Sequence, residues 1–299
     1  MASQRQEIRK QKTKVLEIFE NKDELKKDLL DLAEKTEITF LAEFQEEAME
    51  YIKNGDKYMG VHTGYDGLDT LLGSFLPGEL LTIGGDTGHG KSLLAMNIAQ
   101  NVYQREQQPV LMVNLELTRY QAVQRFYSIA ENHDYAGIMI QRAPAVSYQD
   151  IDVLMQKAKD FGACLVVIDH LHFFSRSADN EARELSRITK HFKECAVEHE
   201  LPVILLSHVT PTRIMAPDGQ VKKEYKPGLH NLKGSSSIEQ DSDMVGFVYR
   251  KQGESRMEFY LRKQRSRPLI TESTYFDQKG WRLVEDKLWL PKKSEQFGS

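Results

Sequence analysis

The sequence predicts an α/β fold in which a mostly parallel central sheet follows an N-terminal helical arm. From about Val61 onward, short apolar segments alternate with segments of helical spacing. The apolar segments have no polar face, as expected of parallel strands that are covered by helices on both sides. Residues 1–58 are instead rich in Lys and Glu and contain no proline. We therefore expect a helical arm over residues 1–58 and a sheet domain over residues 59–299.

The composition favours a globular protein. The 299 residues are 40% hydrophobic and 28% charged, with only two cysteines, too few and too far apart for a disulfide framework or a zinc spacing. No apolar run is long enough to span a membrane, and the basic start lacks the apolar core of a signal peptide. We expect a cytoplasmic protein with no membrane partner. The net charge of −4 argues against a uniformly basic nucleic-acid coat and leaves room for a local basic site.

The arm contains one clear amphipathic pattern. Apolar side chains within residues 40–52 lie on one stripe of a helix, and Asn54-Gly55 supplies a stop signal. Such a helix can pack on its own domain or dock on a neighbouring subunit. Its periodicity does not distinguish the two.

The elements of the sheet domain follow in order. Strands are predicted at 79–85, 109–117, 164–169, 202–209 and 244–250, and helices at 91–106, 148–160 and 180–200. The last two apolar segments, 256–265 and 269–276, have the pattern of antiparallel strands.

The segment between the first strand and the first helix carries a phosphate-binding motif. Residues 85–92, GDTGHGKS, fit the pattern G-x-x-x-x-G-K-[ST]. Glycines let backbone N–H groups curl around phosphate oxygens, and the helix N-terminus adds partial positive charge. The predicted nucleotide-binding residues are Gly85, Asp86, Thr87, Gly88, His89, Gly90, Lys91 and Ser92. Lys91 is expected to reach the β- and γ-phosphates, and the Ser92 hydroxyl to ligate Mg²⁺.

Polar side chains stand at the ends of three further strands. Asp169 follows the apolar run LVVI and is a candidate second ligand for Mg²⁺. Glu116 is placed to orient an attacking water, and His208 ends the next strand at the edge where ligands bind in open parallel sheets. Each also has a structural interpretation, as a cap, a surface Glu or a buried His. To this point a small-molecule kinase fits equally well.

Six segments in order resemble the motor domain of the DnaB-type replicative DNA helicases. They are HTGYDGLD ahead of the phosphate motif, NLELTRYQ, LVVIDHLHFF, LPVILLSHV, GSSSIEQDSD and YLRKQRSRP. The resemblance runs from about Gly60 to Trp281 and extends to phage primase–helicases and Twinkle. It implies a RecA-like P-loop NTPase with Mg²⁺ and ATP, or another NTP, as cofactors.

The resemblance also implies roles for individual residues. Lys91, Ser92 and Asp169 take the nucleotide and metal roles, Glu116 the catalytic glutamate and His208 the γ-phosphate sensor. Lys263 and Arg265 correspond to a Lys-x-Arg element that reaches the γ-phosphate of the adjacent subunit, and Arg250 corresponds to a position near the nucleotide base. Arg267 competes with Arg265 for the finger role, and a solvated basic strand end is the structural alternative for residues 262–267.

Residues 231–243, NLKGSSSIEQDSD, are polar between two buried-looking segments. Ser236 and Glu239 form the pattern of a capping box, so residues 231–236 are predicted to be a loop entering a helix. In the resembled family this loop faces a central channel and follows the backbone of single-stranded DNA. The predicted DNA-binding residues are Lys233, Gly234, Ser235 and Ser236. A capped surface loop is the alternative.

The implied function is a ring-forming DNA helicase of the 5′–3′ type. Its expected partners are single-stranded DNA at a replication fork, other copies of the chain in a hexameric ring, and a primase or loader, in a bacterial or phage-infected cell. In that family the helix before HTGYDGLD docks on a neighbour. A RecA- or KaiC-like ATPase and a nucleotide-binding ring that does not unwind are the rivals.

Overall fold

The computed structural model describes residues 49, 60–114, 116–141, 147–175, 181–210, 213–215, 221–232 and 235–286. The predicted arm, apart from Met49, lies outside these residues, as do Lys233 and Gly234. The boundary between arm and sheet domain therefore stays a prediction. Among the described helices, none is both long and apolar enough to cross a lipid bilayer.

The described chain alternates strands and helices before ending in antiparallel strands. The helices are α1 (Asp66–Leu72), α2 (Lys91–Glu106), α3 (Arg119–Ile129), α4 (Ile151–Asp160), α5 (Glu181–Glu198) and α6 (Ser235–Asp241). The strands are β1 (Leu80–Gly85), β2 (Val110–Asn114), β3 (Ile138–Gln141), β4 (Leu165–Asp169), β5 (Val203–His208), β6 (Arg213–Met215), β7 (Val221–Glu224), β8 (Met244–Tyr249), β9 (Arg256–Gln264), β10 (Ser273–Lys279) and β11 (Arg282–Glu285).

The strands form a mostly parallel sheet, as predicted. Nine described strands lie in the order β11-β10-β9-β8-β1-β5-β4-β2-β3, and β6 pairs with β7 in a separate hairpin. The strands from β8 to β3 in that order pair in parallel, whereas β9, β10 and β11 pair antiparallel at one side. The sheet is therefore α/β with an antiparallel extension.

Alternate side chains of the strands supply two apolar layers. On one face, Leu81 and Ile83 pack with residues of α1, α2 and α3 such as Leu94. On the other face, Leu80 packs with residues of α4 and α5 such as Phe192. All of these side chains are fully buried, which explains why the strands are apolar on both faces. Burying one such side chain contributes about 1.5–3 kcal/mol.

Two predicted boundaries were wrong. The second strand ends at Asn114, not residue 117, because the Asn114 side-chain oxygen accepts the backbone N–H groups of Glu116 and Leu117 and turns the chain out of the sheet. Thr118 then caps α3, a helix absent from the prediction, in a capping box with Gln121. The helix expected after residue 236 begins earlier, at Ser235. It is fixed to the core by Ile238, which is fully buried.

Candidate nucleotide site

Four strands bring the predicted nucleotide-site residues to one edge of the sheet. Gly85 at the end of β1 pairs with His208 at the end of β5. Asn114 at the end of β2 pairs with Asp169 at the end of β4. Because these strands are parallel, their carboxyl ends meet at the edge where open α/β sheets bind ligands.

The loop from β1 to α2 has the backbone geometry of a phosphate cradle. Gly88 and Gly90 have φ angles of 82° and 102°, in the left-handed region that favours glycine. A Cβ at Gly90 would lie 2.7 Å from the Met257 sulfur, so a larger residue there would also clash. Helix α2 begins at Lys91 without a side-chain cap. Its first N–H groups are therefore oriented toward the loop, as an anion site requires.

Lys91 lies inside this loop. Its side chain is buried, and its Nζ donates to the backbone oxygens of Gly85 at 2.7 Å and Asp86 at 3.1 Å. Burial lowers the pKa of Lys91, and the negative charge of Asp169 opposes that shift. The ammonium group rests on two loop carbonyls, over which phosphate oxygens could compete for it.

Ser92 and Asp169 meet as the sequence predicts for a shared metal ligand set. The Ser92 hydroxyl is hydrogen-bonded to Asp169. The other partner of this carboxylate is the Asn114 side-chain amide, which donates to Oδ2 at 2.7 Å. Burial raises the pKa of Asp169 to about 6, with the Ser92 hydrogen bond and the Lys91 charge opposing the shift. Hydroxyl and carboxylate oxygens are the ligands that Mg²⁺ prefers.

Glu116 lies at the same edge and contacts a histidine that the sequence reasoning missed. Its Oε1 is 3.3 Å from His170 Nε2, and half of its side chain is exposed. Burial, followed by the positive charge of Lys91, lowers the pKa of His170 to about 4. The imidazole is therefore neutral at pH 7, and the contact is a hydrogen bond in which it donates to the carboxylate.

The predicted sensor His208 belongs to a group of three histidine rings, hereafter the histidine cluster, with His170 and His172. The ring centroids of His170 and His208 are 4.2 Å apart, and those of His172 and His208 are 5.2 Å apart. His170 also stacks on Phe173 at 4.3 Å. Its Nδ1 is buried without a hydrogen-bond partner among the described residues. The pattern His-x-His directly after Asp169 was the signal available in the sequence.

Arg250 lies beside the phosphate loop, which supports its predicted place in the nucleotide site. A Cβ at Gly90 would lie 3.2 Å from Arg250 Nη2. Arg250 Nη1 donates to Gln278 at 2.6 Å, whereas Nε and Nη2 are buried without partners in the described part of the chain. His89 differs, because its ring is buried against Tyr249 in an edge-to-face contact at 5.5 Å. Two unpaired guanidinium donors beside the loop fit an anionic ligand.

Lys263 and Arg265 lie at the opposite edge of the sheet. Lys263 Nζ donates to the backbone oxygens of Glu239 and Ser242 at the end of α6. Arg265 Nη1 donates to Asp243 Oδ1 at 2.9 Å, and the other carboxylate oxygen of Asp243 accepts the N–H of Leu80, the first residue of β1. Strands rise about 3.3 Å per residue, so the five steps from Leu80 to Gly85 separate Arg265 from its own phosphate loop by about 17 Å.

Arg267 is bound within its own chain. Its Nη1 donates to the backbone oxygen of Leu72 at 2.7 Å and approaches that of Ser74 at 3.4 Å. Arg265 is the more exposed of the two arginines. The described contacts therefore favour Arg265 over Arg267 as the arginine available to a neighbour.

The fold and this edge define a nucleotide-binding α/β protein of the RecA-like class. The DnaB-like helicase C-terminal domain model matches residues 60–134 and 127–285. The chain therefore belongs to the DnaB-like helicase family.

Relatives and solved structures agree with that assignment. The chain is 29% identical over 265 residues to the replicative DNA helicase DnaB of Geobacillus stearothermophilus, covering 76% of this chain and 57% of that protein. It spans about half the length of the curated relatives it matches. A DnaB-like replicative helicase, whose structure was solved to describe its interactions with primase, superposes with a TM-score of 0.64 at 21% identity, covering 92% of this chain and 76% of that one.

Two further solved structures share the fold. An isolated ATPase domain superposes with a TM-score of 0.70 at 22% identity, covering 84% of this chain and 100% of that domain. A KaiC-like protein of Pyrococcus horikoshii superposes with a TM-score of 0.56 at 19% identity, covering 76% of this chain and 98% of that one. At these identities the solved structures support the fold alone.

Proposed function

We propose that the chain is the motor of an ATP-dependent replicative DNA helicase, which moves on single-stranded DNA and separates the duplex. The observation that carries this proposal is the division of the catalytic groups between two edges of the sheet in a member of the DnaB-like family. Lys91, Ser92 and Asp169 share one edge, and Arg265 lies at the other. Such a chain needs a neighbour to complete each site.

The residues at the first edge fit a nucleotide with Mg²⁺. Residues 85–92 would hold the phosphates, and Ser92 with Asp169 would hold the ion, which when bound neutralises charge on the transferred phosphoryl group. The two unpaired donors of Arg250 beside Gly90 support an anionic ligand there. We propose ATP as the nucleotide, with other NTPs as outcomes of the same binding test.

The chain's own residues would position and activate water. Glu116 is half exposed at the edge, so its carboxylate can accept a proton from a water molecule that approaches the phosphates. The neutral His170 donates to Glu116 and orients it. His208, in contact with His170, is placed to respond to the γ-phosphate.

A ring would bring Arg265 to the site of the next chain. An arginine supplied in trans stabilises the charge that develops during phosphoryl transfer. We propose a hexameric ring closed by the amphipathic segment at 38–53. Deletion of residues 1–58 should then leave a nucleotide-binding monomer in sedimentation experiments. A truncated chain that still sediments as a ring would contradict this role for the arm.

The loop before α6 is the proposed contact with single-stranded DNA. Leu232 pairs with Val209 just beyond the end of β5, so the chain leaves the nucleotide edge at residues 233–236 and enters α6. Lys233 would contact the DNA backbone with no base specificity, supported by the backbone N–H groups of Gly234, Ser235 and Ser236. By family membership we also propose a primase or loader as a partner, in a bacterial or phage-infected cell.

A fork-unwinding assay tests the proposal. Full-length protein with ATP and Mg²⁺ should separate a forked duplex that carries a 5′ tail, and Glu116→Gln should bind DNA but not unwind it. DNA-stimulated hydrolysis without strand separation would instead support a non-unwinding ring. Self-phosphorylation or filament formation without unwinding would support a RecA- or KaiC-like ATPase.

A further inference from the structure

A group of three potential metal ligands lies between helices α4 and α5, remote in function from the nucleotide edge. His191 and Cys195 stand four residues apart on α5, and so project from the same face of that helix. Asp152, in the first turn of α4, faces both of them. Asp152 Oδ2 is 2.9 Å from His191 Nε2, and Oδ1 is 3.4 Å from Cys195 Sγ.

The geometry points to a transition-metal site formed by Asp152, His191 and Cys195, and we propose that its ion is Zn²⁺. The ligand atoms all lie within 4.8 Å of one another. Tetrahedral zinc has bonds of about 2.0–2.3 Å, so its ligand atoms lie about 3.4 Å apart. An ion therefore fits after small side-chain movements. Neither cysteine has a partner cysteine at zinc spacing, and the site instead uses one cysteine with a histidine and a carboxylate.

The surroundings of His191 favour a ligand role. Tyr148 stacks on its ring with centroids 4.6 Å apart, and only about a sixth of the His191 side chain is exposed. The Nε2 atom faces Asp152, and Nδ1 lies 3.7 Å from Glu194 Oε2. A carboxylate on the far nitrogen places the imidazole proton there and leaves Nε2 to bind the metal. Metal binding at Cys195 would release the thiol proton to solvent.

The donor set also selects the ion. A thiolate and an imidazole favour Zn²⁺ or Co²⁺ and disfavour Mg²⁺, which prefers oxygen ligands. Cys195 is buried whereas Asp152 is exposed, so the site opens to water on the Asp152 side, where water can supply a fourth ligand. The bound ion would join α4 to α5, whose Lys193 holds Asp243 at 2.6 Å.

Cobalt titration of the chelator-treated full-length protein without nucleotide tests the site. One Co²⁺ per chain should bind, with a thiolate-to-cobalt absorption band that Zn²⁺ removes and excess Mg²⁺ does not. Cys195→Ser should abolish the band. The matched control is Cys164→Ser, which changes the other, half-buried thiol and should keep the band. His208→Ala should also keep it, because the histidine cluster is a separate group.

Asp152→Ala gives a second test that leaves the buried residues intact. Removing this exposed ligand should weaken Zn²⁺ binding at least about tenfold. Zn²⁺ should raise the midpoint of thermal unfolding of the unmodified protein, and raise that of Asp152→Ala less. A band that persists in Cys195→Ser, or equal Zn²⁺ affinity with and without the Asp152 carboxylate, would overturn the proposal. Absence of any Co²⁺ or Zn²⁺ binding would also overturn it and leave a hydrogen-bonded cluster between two helices.

Discussion

The two ends of strand β1 carry positive side chains in different surroundings. At the carboxyl end, Lys91 is buried within a loop of its own segment and donates to two carbonyls of that loop. At the amino end, Asp243 collects the Leu80 N–H, Lys193 at 2.6 Å and Arg265 at 2.9 Å. The first end is built from one continuous stretch of sequence. The second is assembled from four separate segments.

This difference separates a complete binding site from an incomplete one. The nucleotide edge has a phosphate loop, a metal ligand pair and a carboxylate for water, all within one chain. The other edge has a half-exposed arginine fixed to a buried carboxylate, with no phosphate-binding loop among the described residues around it. Since the two edges are about 17 Å apart, Arg265 can act on a nucleotide only if that nucleotide is bound by another chain.

The sharpest test of the comparison mixes two inactive variants. Lys91→Ala and Arg265→Ala should each lower ATP hydrolysis about 10³-fold, because one removes the phosphate-binding ammonium and the other the trans-acting guanidinium. Mixed rings contain some interfaces in which both groups are intact, so mixing should restore part of the activity. Lys251→Ala, at an exposed lysine paired with Glu254, is the control and should be near normal. Failure to recover despite demonstrated subunit exchange would refute the division between edges.

Arg267→Ala should affect the fold more than the chemistry. Its guanidinium serves the carbonyls of Leu72 and Ser74, so its removal should lower the free energy of unfolding by about 1–3 kcal/mol. The ATPase rate of the folded protein should change by no more than a few-fold. Denaturant unfolding and steady-state hydrolysis measure the two effects. A stable Arg267→Ala protein without ATPase activity would assign the finger to Arg267 and not Arg265.

The pKa of Asp169 predicts a pH dependence at the nucleotide edge alone. Burial raises this pKa from 3.8 to about 6, so the folded chain binds a proton more tightly than the unfolded chain. This term increases the free energy of unfolding as pH falls from 6 toward 4. Mg²⁺ must displace that proton, so its apparent affinity should fall about tenfold per pH unit below 6 and level off above it.

Asp169→Asn is the control for that pH profile. The amide keeps the size of the side chain and does not titrate, so Mg²⁺-dependent nucleotide binding should be weak and flat between pH 5 and 8. His170 stays neutral across this window, because its pKa is about 4. A profile with the same inflection in Asp169→Asn would assign the proton to another group.

The sequence predicted what depends on contiguous residues. The limits of α2 and the order of the parallel strands were confirmed, since helical periodicity and apolar runs record them directly. The end of β2 was wrong because one side chain, Asn114, turns the chain there. The contacts of Asp243, the pairing of His170 with Glu116 and the meeting of Asp152 with Cys195 join distant segments. Such contacts depend on how elements pack, which spacing along the chain does not encode.

Helix α6 links the two edges, and the smallest expected effect tests its entrance. Lys263 and Arg265 donate to carbonyls at its end, whereas Lys233 stands just before its start. If Lys233 binds the DNA backbone, Lys233→Ala should weaken single-stranded DNA binding a few-fold, equally for different sequences. The slope of log affinity against log salt should fall by about one unit for each lysine–phosphate pair that the substitution removes.

Hydrolysis without DNA should be unchanged in Lys233→Ala, because Lys91, Asp169 and Glu116 are untouched, while stimulation by DNA should decrease. Lys233→Arg is the matched control, since it keeps the charge and should bind DNA with the original salt slope. Filter binding across a salt titration, with ATPase assays on the same preparations, measures both effects. Normal DNA binding at every salt concentration, together with loss of DNA-independent hydrolysis, would place Lys233 in support of the nucleotide edge and remove the DNA-binding role from the entrance of α6.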